Sequence, residues 1–116
     1  MKHLKKGRKF GRTTDQRKAF IKSIASNLVI QEKIKTTDER AKSVSGFIEK
    51  LITKAKKQTL ASRRDVLKYL PAQSAEKVSK DLALRYMDRK GGYTRITKIG
   101  RRGSDSAKMV MLELVK

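Results

Sequence analysis

The chain has 116 residues, with 31 lysines and arginines against 11 aspartates and glutamates, so its formal net charge is +20. Hydrophobic residues make up 37 %, enough for one domain with a single core. The absence of cysteine excludes disulfide frameworks, cysteine-based zinc sites and thiol catalysis. No apolar run is long enough to span a membrane, and the N-terminus lacks the apolar segment of a secretory signal. We therefore expect a cytoplasmic protein, or a protein of an organelle matrix if a presequence has been removed.

The positive charge is spread along the whole sequence. Residues 1–35 carry +9, residues 36–90 carry +7 and residues 91–116 carry +4. These positive side chains repel one another, and the repulsion disfavours a compact state unless a polyanion neutralises them. We therefore expect a nucleic-acid partner that contacts much of the surface, the plainer alternative being a merely soluble basic protein.

Residues 1–12 form the first segment. They contain six lysines and arginines, no acid and two glycines. This composition predicts an extended basic arm over 1–12, followed by a single α+β domain over 13–116. The arm either supplies phosphate contacts or is a solvated tail.

The first helix and strand follow the arm. Thr13 and Gln16 form a capping-box pattern ahead of an apolar stripe, which predicts a helix of about fifteen residues. The stripe consists of Phe20, Ile21, Ile24, Ala25, Leu28 and Val29. Residues 32–36 then alternate, which predicts a short strand with Ile34 towards the core and Lys33 and Lys35 on the other face.

Three helices are predicted next. Thr36 is the expected N-cap of a long helix, with Glu39 completing the box. The buried face of that helix is predicted to contain Ala41, Val44, Ile48, Leu51, Ile52 and Ala55. Residues 59–70 form a shorter helix that Pro71 ends, with Leu60, Leu67 and Leu70 near one face. Ser74 is a plausible N-cap for a helix whose apolar stripe is Ala75, Val78, Leu82 and Tyr86.

The C-terminal part is predicted to form two strands. Gly91-Gly92 breaks the chain, residues 94–99 and 109–115 have strand patterns, and a polar loop over 100–106 separates them. The order helix, strand, three helices, two strands predicts a two-layer α+β fold, with helices packed on a small three-stranded sheet.

Catalysis has little support in the sequence. His3 is the only histidine, so neither a histidine-centred triad nor a histidine metal cluster can form. The adjacent carboxylates Asp38 and Glu39 are explained by a helix start, and Asp105 by a turn. We predict no enzyme, no metal, no cofactor and no small-molecule substrate.

Nucleic-acid contact is better supported. The arm offers cations to phosphates, and Tyr93 with Arg95 next to two glycines suits base stacking or phosphate clamping. Ordinary core packing is an equally good explanation of Tyr93. No recognition-helix or RRM pattern is present, which favours reading of backbone and shape over reading of bases.

Three separated motifs resemble one family, the bacterial-type large-subunit ribosomal protein L17 family. The first is Met1-x-His3-x-Lys5-x-Gly7-Arg8-Lys9, and the second is Ile34-Lys35-Thr36-Thr37-x-x-Arg40-Ala41-Lys42. The third is Gly91-Gly92-Tyr93-Thr94-Arg95-Ile96, and the chain then ends in Met109-Val110-Met111-Leu112-Glu113-Leu114-Val115. The resemblance covers nearly the whole sequence.

The resemblance implies a structural, non-enzymatic component of the large ribosomal subunit in the cytoplasm. It implies a monomer within the ribosome that binds 23S-type rRNA near the exit of the peptide tunnel, beside neighbouring large-subunit proteins. From the motifs and the charge pattern, the candidate rRNA-binding residues are Lys2, His3, Lys5, Lys6, Arg8, Lys9, Arg12, Arg17, Lys18, Lys33, Lys35, Arg40, Tyr93, Arg95, Arg101 and Arg102. An architectural DNA-binding protein remains the alternative.

Overall fold

The computed structural model describes residues 14–116, so the predicted arm and the predicted N-cap Thr13 lie outside the described residues. The chain order is helix, strand, a run of helices and two strands, as predicted. The elements are α1 (Thr14–Gln31), β1 (Lys33–Thr37), α2 (Asp38–Ala55), α3 (Leu60–Tyr69), α4 (Ala72–Lys77), a π-helical turn (Val78–Leu82), α5 (Ala83–Arg85), β2 (Thr94–Arg101) and β3 (Lys108–Leu114).

The three strands form one antiparallel sheet in the order β1-β3-β2. The last strand in sequence is therefore the central one. A bulge between Lys98 and Gly100 interrupts the β2–β3 ladder, and Gly100 has a φ of 135°, which a residue without Cβ adopts without strain. The helices cover one face of this sheet, which confirms the predicted α+β fold.

The core lies between the helices and the sheet. The buried residues of α2 are the six predicted from its apolar stripe. The apolar stripe predicted for the fourth helix, Ala75, Val78, Leu82 and Tyr86, is buried as well. Val110, Leu112 and Leu114 of β3 face these helices. The core therefore consists of helix residues that recur about every 3.6 positions, packed against strand residues that recur every second position.

The predicted cap of α2 is wrong by one residue. Thr37 is the N-cap, and its side chain makes no capping hydrogen bond. The reason is that β1 stays paired to its end, with Thr36 opposite Val110 and Thr37 opposite Met109. The side chain of Thr36 consequently points into the core, where it is 8 % exposed and cannot reach the helix start.

Two further local predictions are wrong. Of the three leucines predicted for one face, only Leu70, directly after α3, is buried. Leu60 and Leu67 are exposed, and Ser62 and Val66 of α3 face the core. Ser74 is not an N-cap, because α4 begins directly after Pro71, whose missing N–H is no loss at a helix start. Ser74 is instead buried, with its hydroxyl hydrogen-bonded to the hydroxyl of Ser26 in α1.

The fourth helical segment runs from α4 to α5 without a break through the π-helical turn. Gln58 joins the end of α2 to this turn, because its Nε2 donates to the carbonyl oxygens of Ala55 (3.0 Å) and Ser79 (2.9 Å). Tyr86, just after α5, donates its hydroxyl to the carbonyl of Val115. These bonds fix the segment against both α2 and the end of the chain.

The start of α3 provides a test of local stability. Thr59 Oγ1 accepts from Ser62 N and Ser62 Oγ accepts from Thr59 N, both at 3.1 Å, which completes a capping box. We expect Thr59→Ala to lower the free energy of unfolding by roughly 0.5–2 kcal/mol in chemical denaturation. Thr37→Ala is the matched control, expected to cost less than about 0.5 kcal/mol because no capping bond is lost. Equal losses would contradict this assignment of caps.

Candidate nucleic-acid interface

The second face of the sheet is not covered by any helix of residues 14–116. We call it the open sheet face; it consists of Lys33, Lys35, Thr37, Arg95, Thr97, Ile99, Met109, Met111 and Glu113. In β1, Lys33 and Lys35 are exposed while Ile34 packs against the core, which confirms the facing predicted from the alternation. Three predicted site residues, Lys33, Lys35 and Arg95, therefore share this surface.

One cross-strand row on the open sheet face combines both signs of charge. Glu113 of β3 is paired with Lys33 on one side and Arg95 on the other. Arg95 Nε donates to Glu113 Oε1 at 3.1 Å, and Arg95 Nη2 lies 3.0 Å from the same oxygen. With two positive charges and one negative charge, the row carries one excess positive charge, and Lys35 in the next row adds another.

A second basic surface lies where the sheet meets the start of α2. A cavity of about 530 Å³ is lined there by Lys42, Lys98, Arg101 and Lys108, together with Asp38. Asp38 is paired with Lys42 at 3.1 Å. The other three cations face the cavity and the positive end of the α2 dipole without a carboxylate partner, an arrangement that favours an anion.

The two predicted loop arginines are held by their own loop. Arg102 forms a two-pronged pair with Asp105, and Ala107 N donates to the same carboxylate at 3.2 Å. The hydrogen bond from Arg102 lowers the pKa of Asp105 from 3.8 to about 2. Arg101 donates to the carbonyl of Ser106 at 2.9 Å. The turn role expected of Asp105 is confirmed, and the loop presents both arginines in a fixed arrangement.

Three other predicted residues, Arg17, Lys18 and Arg40, lie on the helices. Arg17 donates to Thr14 Oγ1 at 3.1 Å, and Lys18 beside it is exposed. The guanidinium of Arg40 in α2 lies 4.9 Å from the ring centroid of Phe20 in α1. The starts of α1 and α2 are thus in contact, and they form a third basic region.

Tyr93 does not have the base-stacking role predicted for it. Its ring is 1 % exposed and packs against Tyr86, with 5.1 Å between the ring centroids. Lys56 Nζ donates to its hydroxyl at 3.0 Å, and this bond lowers the pKa of Tyr93. The alternative of core packing is the correct one. The adjacent glycines suggested an exposed approach, but the chain there pairs with the C-terminus through Val115 N and Tyr93 O.

The exposed aromatic side chain that sequence reasoning missed is Tyr69, at the end of α3. It is 37 % exposed, and it lies beside Lys22 of α1 and Lys54 of α2. The available signal was the spacing of Lys18 and Lys22, and of Lys50 and Lys54, four residues apart outside the apolar stripes. Nothing in the local sequence indicated that both lysines meet one tyrosine.

Most cations of the described region have no acidic partner. Of the 25 lysines and arginines in residues 14–116, seven lie within 4.0 Å of a carboxylate and the other 18 do not. Within these same residues no group of three or more histidines, cysteines or acids is placed to hold a metal ion, and no helix is long and apolar enough to cross a membrane. The 18 cations without a carboxylate partner suit this surface to a polyanion.

Comparison with known proteins finds one family. The family model described as ribosomal protein L17 matches residues 20–115. The large ribosomal subunit protein bL17 of Staphylococcus epidermidis is 47 % identical over 119 residues, which cover 93 % of this chain and 98 % of that protein. The bL17 protein of Dehalococcoides mccartyi is 47 % identical over the full length of both chains. That of Staphylococcus aureus is 48 % identical over 93 % of this chain and 98 % of its own.

Proposed function

The chain belongs to the ribosomal protein L17 family, and from this premise we propose that it binds the 23S-type rRNA of the large ribosomal subunit mainly through phosphate contacts. Membership makes it a structural, non-enzymatic component of the large subunit in the cytoplasm. The proposal adds what the chain contacts there and with which surfaces.

The observation that carries the proposal is the set of 18 cations without a carboxylate partner. Lysine and arginine side chains supply most of the affinity for nucleic acid that does not depend on base sequence. Among them, Lys33 and Lys35 lie on the open sheet face, Lys98, Arg101 and Lys108 line the cavity at the start of α2, and others lie along the helices. Contact over several surfaces matches a protein enclosed by folded rRNA rather than one docked at a single groove.

Two further parts of the proposal rest on the family. The segment 1–12, with Lys2, His3, Lys5, Lys6, Arg8, Lys9 and Arg12, is proposed to add phosphate contacts, because it carries six cations and no acid. The position near the exit of the peptide tunnel, beside neighbouring large-subunit proteins, is what the L17 motifs imply. Neither part involves a cofactor or a small-molecule substrate.

The open sheet face provides the mutational test. We expect the double variant Lys33→Ala/Lys35→Ala to weaken binding to a fragment of 23S-type rRNA and to reduce the slope of log affinity against log salt by up to about two units. The free energy of unfolding should change by less than about 0.5 kcal/mol, because both side chains are exposed. Filter binding at several salt concentrations and chemical denaturation measure the two effects.

The matched control is Lys57→Ala/Arg64→Ala, which removes the same charge from the helical layer. Both of these side chains are exposed, and neither lies within 4.0 Å of a carboxylate of residues 14–116. Long-range attraction alone predicts equal losses of affinity for the two double variants. An unchanged salt slope in Lys33→Ala/Lys35→Ala would remove the open sheet face from the proposed interface.

A further inference from the structure

The ring of Tyr69 is an exposed aromatic surface where three helices meet. It is 37 % exposed, while Tyr86 and Tyr93 are 3 % and 1 % exposed. Phe47 of α2 packs against it edge to face, with 5.9 Å between the centroids and 82° between the planes. The contact fixes the orientation of the ring and leaves part of its surface to solvent.

Two ammonium groups converge on this ring. The Nζ atoms of Lys54 and Lys22 lie 5.5 Å and 5.9 Å from its centroid. Neither lysine is within 4.0 Å of a carboxylate in residues 14–116. Each ammonium is attracted to the ring, but two like charges at one ring repel each other. A phosphate bound beside either lysine would supply the missing counter-charge.

Tyr69 also forms a wall shared by two surface cavities. The first, of about 580 Å³, is lined by Phe47, Lys50, Lys54 and Lys90 among others. The second, of about 510 Å³, includes Lys22 and Lys68. Among the residues that the structure describes, the one carboxylate in either lining is Glu49, which already accepts a hydrogen bond from Thr94 Oγ1 at 2.7 Å. The ring therefore stands between two depressions bordered by five lysines, of which Lys68 is paired with Asp65 at 3.4 Å.

We propose that Tyr69 is a nucleotide-binding site for single-stranded RNA, at which an unpaired base stacks on the ring and the flanking phosphates contact Lys22 and Lys54. The inference rests on the proposed rRNA binding and deepens it. Both ammonium groups lie over the ring on flexible side chains, which turn from the ring to the flanking phosphates when a base stacks there. This arrangement matches the alternation of base and phosphate along a single strand. A paired duplex offers no free base face, and an acidic peptide would pair the lysines but leave the ring without a stacking partner.

The test uses the full chain and two fluorescein-labelled probes, a short single-stranded oligo(A) and a short RNA duplex. We expect Tyr69→Leu to weaken binding of the single strand by about five- to a hundredfold, measured by fluorescence anisotropy. Binding of the duplex should be unchanged. Tyr69→Phe is the matched control, because it keeps the ring, and it should bind both probes like the original chain.

A second pair of variants tests the lysines. Lys54→Met should weaken single-strand binding and lower its salt slope by up to about one unit, whereas the exposed Lys57→Met should have a smaller effect. If Tyr69→Leu binds oligo(A) as well as Tyr69→Phe does, the nucleotide site is wrong, while duplex binding with a steep salt dependence would leave the proposed function intact. If the original chain binds neither probe, the proposed function itself fails.

Two further measurements test the site without removing the ring. The first uses the original chain, and the second uses the assembled subunit. In the original chain, oligo(A) should shift the ring-proton NMR signals of Tyr69 and Phe47, and unshifted signals would overturn the proposal. In large subunits that carry Tyr69→p-benzoylphenylalanine, ultraviolet irradiation should crosslink this position to rRNA. A crosslink to a neighbouring protein instead would show that the site takes a protein partner.

Discussion

Raising the salt concentration from about 50 to about 200 mM is expected to weaken rRNA binding by about three to five decades, if roughly six to ten phosphates are contacted. The physical reason is the release of counterions from each neutralised phosphate. The chain has 18 described cations without a carboxylate partner, more than enough for that number of contacts. The loss is expected to be smaller for single strands, whose charge density is lower.

Filter binding of the full chain to a fragment of 23S-type rRNA, at five or more salt concentrations, gives the slope directly. An RNA duplex of unrelated sequence is the control, since phosphate contacts alone predict a slope of similar size for both. A nearly flat plot of log affinity against log salt would contradict the electrostatic account of binding.

Glu32→Gln is expected to lower the free energy of unfolding by roughly 2–3 kcal/mol at neutral pH. Glu32 lies between α1 and β1, with a φ of 64°. Its carboxylate accepts from Arg85 Nη1 at 2.5 Å and Nη2 at 3.2 Å, and from Lys77 Nζ at 2.9 Å. These bonds, that from Arg85 first, lower its pKa from 4.5 to about 2, so the ionised form stabilises the fold. Because the side chain is only 26 % exposed, solvent screens these pairs incompletely.

The pH dependence of this pair follows from the direction of the shift. Since the pKa of Glu32 is lower in the folded state, its contribution is fully present above about pH 5 and is lost as the pH falls towards 2. Denaturation of the two chains at pH 7 and at pH 3 should therefore show a difference that shrinks with acid. Glu76→Gln is the control: its pair with Lys80 is more than 60 % exposed on both sides and contributes less than about 0.5 kcal/mol. Equal losses for both variants would contradict the role of Glu32.

Helices and strands were predicted correctly where apolar residues recur at a single regular spacing. The six apolar positions of α2 recur at helical spacing and are all buried, and the alternation in β1 correctly places Ile34 inward. The predictions that failed depend on contacts between distant segments. The local sequence predicts Thr36 as the N-cap of α2, but pairing with β3 extends β1 past this residue. Leu60 and Leu67 are more apolar than Ser62, yet the docking of α3 on α2 places Ser62 inside.

The candidate interface was predictable in its chemistry and only in part in its geometry. Positive charge and the alternation in β1 identify Lys33 and Lys35 as candidate contact residues. The two lysines share a surface with Arg95 only because β3 lies between β1 and β2. No local pattern specifies that strand order. Tyr69 is the opposite case: its surroundings come from three helices, so a reading along the chain does not bring Lys22 and Lys54 to it.

The central claim is that the chain contacts large-subunit rRNA, and ultraviolet crosslinking in living cells followed by sequencing of the attached nucleic acid tests it most directly. The account predicts that crosslinked reads map to 23S-type rRNA and cluster in the few segments that surround one position on the subunit. Crosslinks mainly to chromosomal DNA, as an architectural DNA-binding protein would produce, would contradict it.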